Sequence, residues 1–447
     1  MREDELKSVA QEVLGKVKEE CEAELLLTGG EGALTRFGES RITQNVAQSS
    51  QSLSVRLIRD KKVGKASTGD LSPQGIDHCL ARAYKAMEVA TPDPDLLPLP
   101  EPQVYQAKES FYPHTKDYPP EERAQQVVNA VKRLQSVNLE GAGIFSTGGG
   151  ALALANSKGL WAYHRRTNAT FSLSAMSPDS SGWAQETDPD VRKIDFPRVI
   201  ETATQKALLS REPRTVDPGN WMVIFEPEAV ADFVLFLAWQ GFNGKAFVEG
   251  RSPFSGKVGQ RILGENITIV DDAYHPLSPG NPFDYEGMPR QRVVLVDRGV
   301  FLTTVHDRRT ALKAGVESTG HALPQPDTHG PIPLNLVIEG GDSSLEEMIA
   351  STERGLLITR LHYTNLLDPM RLTITGMTRD GLFLVENGKV VGGVKNMRFT
   401  ASVLDILNNV ELLSRQLYKT ETFWGGGGTV APAMKVRDFP FTSVTEK

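Results

Sequence analysis

The sequence contains very little cysteine and no long hydrophobic run. Its 447 residues include two cysteines, Cys21 and Cys79, and neither belongs to a CxxC pair. A disulfide scaffold and a cysteine-rich zinc site are therefore both excluded. The most apolar stretch, residues 223–239, is interrupted by acidic side chains and so cannot form a membrane span.

The composition is that of a soluble globular protein. Hydrophobic residues make up 39% and charged residues 23%, and the net charge is −7. A general nucleic-acid binder needs a basic surface that displaces counterions, which this negative charge disfavours. Residues 1–15 are charged and lack the apolar segment of a signal peptide. We therefore expect a cytoplasmic protein with neither nucleic acid nor membrane among its partners.

Several catalytic motifs are also missing. The closest two of the eight histidines are eight residues apart, whereas a helical zinc motif places them about one turn apart. HExxH, GxSxG, SxxK and GxxxxGK[ST] do not occur, which excludes the simplest zincin, serine-hydrolase and P-loop interpretations. The glycine run at 425–428 lacks the lysine and the helix of a phosphate-binding loop, so we interpret it as a hinge.

The hydrophobic pattern predicts an α+β fold in two domains. Helical periodicity predicts helices over the ranges 3–20, 73–90, 120–135, 196–210, 227–240 and 400–416. Short β-branched runs between them predict mixed and antiparallel sheets flanked by helices. The turn-rich segment 211–220 divides an N-terminal α+β domain, residues 1–215, from a β-rich C-terminal domain, residues 216–447. The proline-rich segment 92–119 is predicted to be an ordered loop of the first domain.

The helix predicted over residues 227–240 carries the first candidate site. Glu228 and Asp232 are four residues apart and would lie on one face, where a carboxylate pair could perform acid–base chemistry. The alternative is that both are solvated acids, which the helix dipole stabilises near the N-terminus. The residues alone leave both interpretations open.

Two histidines and one acidic segment are weaker candidates. His321 in STGHA and His362 in RLHYTN lie near glycine turns or strand ends, where functional groups often project. A structural role is the alternative for each histidine. The acid-rich segment 270–287 suggests calcium ligands, but its spacing fits no EF-hand loop, so we expect a surface loop there.

Several segments together resemble the TldD/PmbA family of microcin-processing and "modulator of DNA gyrase" proteins. The similar segments, in chain order, are RFGESRITQ (36–44), ANSKGLWAYHRRT (155–167), ENITIVDD (265–272), residues 281–315, STGHA (318–322) and residues 362–411. Their order extends over nearly the whole chain. The resemblance implies the two-domain fold of that family.

The resemblance also bears on the candidate helix. In that family the TldD-type subunit is a zinc peptidase whose HExxxH helix follows a core strand and whose metal site is completed by a late cysteine. The corresponding stretch here is PEAVAD, in which Glu228 matches the general-base glutamate, while Pro227 and Asp232 stand at the histidine positions. The region FWGGGGTVAPAMKV has no cysteine. The chain is thus similar to the TldE/PmbA-type subunit, which implies that it binds no cofactor and that zinc belongs to the partner.

This resemblance implies a non-catalytic partner of a TldD-type HExxxH metallopeptidase subunit, with unfolded peptide held in a shared chamber. Two alternatives stay open. One is an independent hydrolase that uses Glu228 and Asp232 with His321 or His362, and the other is a regulatory module that binds gyrase or another protein. The isolated chain could also form a homodimer, which the sequence does not decide.

Overall fold

The computed structural model describes residues 2–278, 280–421 and 428–445. Its two β-sheets follow one another along the chain, and helices pack against each of them. Most of the glycine run that we interpret as a hinge, residues 425–427, lies outside the described residues. Within the described ranges, no helix is long and apolar enough to cross a membrane.

Six antiparallel strands form the first sheet. They are β1 (Glu22–Gly38), β2 (Arg41–Arg59), β3 (Lys62–Thr68), β4 (Glu140–Asn156), β5 (Trp161–Met176) and β6 (Ser181–Asp188). Their spatial order is β3-β2-β1-β4-β5-β6. Alternate side chains of β1, such as Leu25 and Leu27, are fully buried, because successive residues of a strand point to opposite faces and one face meets the helices.

The helices of the first half cover that buried face. They are α1 (Glu3–Gly15), α2 (Pro73–Val89), α3 (Pro113–Lys116), α4 (Pro120–Gln135) and α5 (Phe196–Leu209). The start of α2 follows local capping rules: Ser72 Oγ accepts a hydrogen bond from the Gly75 amide at 3.1 Å, and Pro73 is the first helical residue. α1 ends at Gly15, earlier than predicted, because glycine is a poor helix former.

The proline-rich segment 92–119 is irregular apart from α3, and it ties the first sheet to the second half of the chain. Tyr105 Oη donates a hydrogen bond to the Gly287 carbonyl at 2.8 Å. Lys108 Nζ donates to the Ser278 carbonyl, also at 2.8 Å. These contacts between residues far apart in sequence hold the two halves against each other.

Eleven strands form the second, mixed sheet. They are β7 (Gly219–Phe225), β8 (Ile269–Asp271), β9 (Val293–Asp297), β10 (Val300–Phe301), β11 (Leu336–Ile338), β12 (Arg354–Asp368), β13 (Thr373–Glu386), β14 (Lys389–Gly393), β15 (Met397–Ser402), β16 (Val410–Glu421) and β17 (Gly428–Val444). The main order is β10-β9-β8-β11-β17-β15-β13-β12-β7, with β14 beside β13 and β16 beside β17. β12 runs parallel to β7 and β11 parallel to β17, while the other pairs are antiparallel. The predicted α+β fold with mixed and antiparallel sheets is confirmed.

The second half has five short helices in the described residues. They are α6 (Pro227–Phe236), α7 (Gly244–Val248), α8 (Arg308–Ala314), α9 (Leu345–Ala350) and α10 (Val403–Asn408). Beyond α6, one π-helical turn over Leu237–Gly241 completes the helix predicted for 227–240. The helix predicted over 400–416 is wrong, because only α10 is helical there and the flanking residues belong to β15 and β16. Pairing of β16 with β17 overrides the local periodicity.

Candidate functional site

α6 is held in place by the strand that precedes it. β7 pairs with β12 and β17, and the Glu226 amide that follows it donates a hydrogen bond to the Ile358 carbonyl at 3.0 Å. Pro227 is the first helical residue and is buried, at a position where the amide has no partner within the helix. The core-facing residues of the helix, all buried, are Val230, Phe233, Val234 and Leu237.

Glu228 and Asp232 lie on the opposite face of α6 and are half-buried. Asp232 Oδ2 accepts a hydrogen bond from the Leu361 amide of β12 at 3.2 Å. Burial raises the pKa of Glu228 to about 7, and the nearby charge of Glu226 raises it further. Burial also raises the pKa of Asp232 to about 7, against the lowering effect of the Leu361 amide. Both carboxyl groups are therefore only partly exposed to solvent, and their use as an acid–base pair stays a prediction.

Charged and polar groups from other elements lie near these carboxyl groups. Lys206 of α5 forms an ion pair with Glu226, and the two side chains are 15% and 11% exposed. The positive charge of Lys206 lowers the pKa of Glu228, but by less than burial raises it. Burial raises the pKa of the Tyr418 hydroxyl on β16, and the charge of Glu228 contributes to this shift. These groups thus lie where the first half of the chain meets the second sheet.

A second contact, made by Arg360 of β12, joins the two halves of the chain. Arg360 Nε of β12 donates to Asp380 Oδ2 of β13 at 2.9 Å. The Arg360 guanidinium also lies 4.6 Å from the centre of the Trp183 ring on β6, which is a cation–π contact. Sequence reasoning missed this cluster and the Lys206–Glu226 pair, because no local pattern links residues that meet only through the sheets.

The donor atoms at α6 are poorly suited to zinc. The Pro227 side chain has no donor atom, and Asp232 already accepts the Leu361 amide. A lone carboxylate such as Glu228 is a weak zinc anchor without imidazole or thiolate partners. In the portion of the chain that the structure describes, no group of three histidine, cysteine, aspartate or glutamate side chains is placed to hold a metal ion.

His321 lies in a separate, fully buried pair. Its Nε2 is 2.8 Å from Asp271 Oδ1, and its Nδ1 is 2.9 Å from Thr319 Oγ1. Burial alone would raise the pKa of Asp271, but the charge and the hydrogen bond of His321 hold it below its usual value. Both side chains of the ion pair are 0% exposed, so a substrate has no access to them and the structural interpretation is favoured.

His362 lies on β12, next to the residue that binds Asp232. Leu361 packs into the core to which α6 contributes, and neighbouring side chains of a strand point to opposite faces, so His362 points away from α6. Burial lowers the pKa of His362, and the charges of Arg379 and Arg360 lower it further. A catalytic role for His362 therefore stays a prediction.

The acid-rich segment 270–287 is not the surface loop that its composition predicts. Asp284 is 1% exposed, and its carboxylate accepts hydrogen bonds from the amides of Glu286, Met288 and Ala322. Burial raises the pKa of Glu286 to about 8, and the charge of Asp284 adds to this rise. Asp284 therefore stabilises the loop from the protein interior by accepting hydrogen bonds from backbone amides. Composition alone does not reveal this role.

Comparison with known proteins shows similarity over the length of the chain. Metalloprotease PmbA of Escherichia coli O157:H7 is 26% identical over 460 residues, covering 97% of this chain and 95% of the relative. A metalloprotease of Methanocaldococcus jannaschii is 25% identical, and the match covers 54% of this chain and only 53% of that relative. The fold matches the crystal structure of TldE from Thermococcus kodakarensis, with 23% identity and a TM-score of 0.86 over 98% of this chain and 99% of TldE.

Three models of one family match successive parts of the chain. The PmbA/TldA metallopeptidase domain 1 matches residues 23–87, the central domain matches residues 113–211, and the C-terminal domain matches residues 218–443. The C-terminal match includes α6 and the strands that position it. Since these three matches together cover most of the sequence, the chain belongs to the TldD/PmbA family of metallopeptidases.

Proposed function

We propose that this chain is the non-catalytic, TldE/PmbA-type subunit of a heteromeric TldD-type zinc metallopeptidase that acts on unfolded peptides. The proposal rests on the first half of α6, where Pro227 and Asp232 stand at the positions that the resemblance to the TldD-type motif gives to the metal-binding histidines. Proline supplies no ligand atom, and the aspartate is engaged by a backbone amide of β12. The fold similarity to TldE over nearly the whole chain supports the same role.

In such a complex, this chain would supply walls of the peptide chamber and its partner would supply the metal. Zinc in the partner would polarise the scissile carbonyl and activate water. Glu228, Asp232 and the half-exposed Tyr418 present polar groups at the junction of the two halves, where an extended peptide can be held through hydrogen bonds. Glu228 would act as a structural acid, because a general base needs an activated water within reach.

One observation favours a second candidate, an independent hydrolase. Two neighbouring carboxyl groups with pKa values near 7 are typical of acid–base catalysis. Under this alternative the isolated chain would hydrolyse its own substrate. The two candidates differ in whether activity needs a second chain and in whether it needs Glu228.

We expect the purified chain to hydrolyse no peptide when it is assayed alone. Adding a TldD-type subunit that bears HExxxH should produce cleavage of a fluorescence-quenched, unstructured peptide, because the metal site would then be present. The control is the same partner with the HExxxH glutamate replaced by glutamine, which should bind this chain and stay inactive. Turnover by the chain alone, or no association with any such partner, would contradict the proposal.

Replacing Glu228 tests whether this chain performs chemistry. In the reconstituted complex, Glu228→Gln should change kcat/KM by less than about tenfold, because no proton transfer passes through this side chain. Asp232→Asn, on the same face of α6, should change kcat/KM equally little. A loss of several orders of magnitude in both variants would support the independent hydrolase instead, because that hydrolase uses both carboxyl groups.

The raised pKa of Glu228 predicts a stability that falls with rising pH. Below about pH 4.5 the carboxyl group is protonated in both the folded and the unfolded chain. Between about pH 4.5 and pH 7 the unfolded chain releases this proton while the folded chain retains it, so the free energy of unfolding decreases. Glu228→Gln should therefore be more stable than the parent at pH 8, by about 1–2 kcal/mol after allowing for its partial exposure.

Urea denaturation at pH 4.5 and at pH 8 measures this difference. The advantage of the glutamine variant should shrink toward zero at the lower pH, where both chains carry an uncharged group. A stability difference of the same size at both pH values would show that burial does not shift the pKa of Glu228.

A further inference from the structure

The face of α4 that packs on the first sheet carries one charged residue among apolar ones. The buried residues of this helix, which lie at the spacing of a single helix face, are Arg123, Val127, Ala130 and Leu134. Arg123 is 3% exposed. A guanidinium keeps its positive charge inside a protein, and a charge that is removed from water is costly unless other groups compensate it.

The protein supplies only part of this compensation. Arg123 Nη1 donates hydrogen bonds to the Tyr118 carbonyl at 2.7 Å and to Thr147 Oγ1 at 3.2 Å. Arg123 Nε is buried and has no hydrogen-bond partner. Among the residues that the structure describes, no carboxylate forms an ion pair with this guanidinium. Burial lowers the pKa of Arg123, and the charges of Tyr118 and Glu121 offset that effect only in part.

Arg123 borders a cavity of about 540 Å³ between α4 and the first sheet. The floor of the cavity includes Ala33 of β1, which faces Ala47 of β2 on one side and Thr147 of β4 on the other. Residues that face each other across a ladder point to the same side of a sheet, so this floor lies on the side that binds Arg123. One wall is the segment 116–120, which leads into α4. The volume is typical of a small-molecule site.

The other charged groups at the cavity are already paired and lie closer to solvent. Lys116 Nζ forms ion pairs with Glu31 at 2.9 Å and with Asp117 at 3.0 Å, and the two acidic side chains are 60% and 67% exposed. Water screens these charges, whereas the charge of Arg123 is enclosed. A group with one negative charge would balance Arg123. A doubly charged phosphate would add an excess of negative charge beside the two acids.

We propose that this cavity binds the carboxylate of a small apolar monocarboxylic acid, with Arg123 as its ion-pair partner. A carboxylate matches the planar guanidinium and can accept a hydrogen bond from Nε, the nitrogen that has no partner in the protein. The apolar part of the ligand would contact Val46, Tyr118 and Pro119, which also line the cavity. Two sources share this chemistry, namely a free acid and the C-terminal residue of a short peptide. The site needs neither α6 nor a zinc-bearing partner.

Isothermal titration calorimetry of the full chain tests the site with three probes. N-acetyl-phenylalanine and phenylacetate represent the two sources, and N-acetyl-phenylalaninamide is the uncharged analogue of the first. Both acids should bind at one site per chain, and the amide should bind about tenfold more weakly or worse, because it lacks the charge that pairs with Arg123. Tighter binding of N-acetyl-phenylalanine assigns the site to a peptide C terminus, and tighter binding of phenylacetate assigns it to a free acid.

Two variants change the charge and the space of the site separately. Arg123→Gln should weaken the binding of both acids by about tenfold or more. Lys132→Gln removes a positive charge at an exposed position of the same helix and is the matched control, which should bind as the parent does. Ala33→Met keeps Arg123 and should abolish binding by filling the cavity, so the test does not depend on the folding of one variant.

The proposal makes four outcomes impossible. Binding of neither acid by the parent chain, or equal affinity for N-acetyl-phenylalanine and its amide, would overturn it. Unchanged binding by a folded Arg123→Gln or Ala33→Met variant would place the ligand elsewhere and overturn it as well. Inorganic phosphate that binds more tightly than either acid would show that the site prefers a doubly charged ligand, against the charge balance described above.

Discussion

The position of α6 against the first half of the chain depends on the buried ion pair between Lys206 and Glu226. Lys206 comes from α5 in the first half of the chain, and Glu226 occupies the turn that leads into α6. Removing one member of a buried pair leaves the other charge unpaired and poorly solvated, which is strongly destabilising. The pair therefore fixes the start of α6 against the first half. In this arrangement Glu228 and Asp232 are half-buried, and burial raises the pKa values of both carboxyl groups.

Under the proposed function, α6 shows how a peptidase fold persists without the chemistry of its family. One face of the helix packs into the large core of the second sheet, and this packing does not depend on which residues stand on the other face. The carboxyl groups on that other face are half-buried, and a β12 amide donates a hydrogen bond to Asp232. Selection on the core would preserve the helix, whereas the ligand positions are free to change when a partner chain provides the zinc.

Local signals predicted those parts of the fold that local physics determines. α2 and α4 match their predicted ranges closely, because Ser72 caps α2 and each helix has a proline in its first turn. The spacing of Glu228 and Asp232 likewise placed them on one face of a helix. Their half-burial was not predictable, since it results from strands distant in the sequence that pack against α6, namely β12, β16 and β17.

The wrong predictions share one cause, which is tertiary contact. The helix predicted over 400–416 became a strand, a short helix and a second strand, because β16 gains a ladder with β17. The segment 270–287 looked like a surface loop because its acids are numerous. Asp284 instead accepts three backbone amides inside the protein. Strand pairing and side-chain burial both depend on residues that are distant in the sequence. Neither leaves a periodic pattern in the sequence.

Zinc content is the most direct test of the central claim, that this chain lacks a metal site and works beside a chain that has one. Inductively coupled plasma mass spectrometry would be applied to the chain purified alone and to its complex with an HExxxH-bearing subunit. We expect close to no zinc in the chain alone and about one zinc per heteromer. Near-stoichiometric zinc in the isolated chain, lost when Glu228 or Asp232 is replaced by its amide, would contradict the claim.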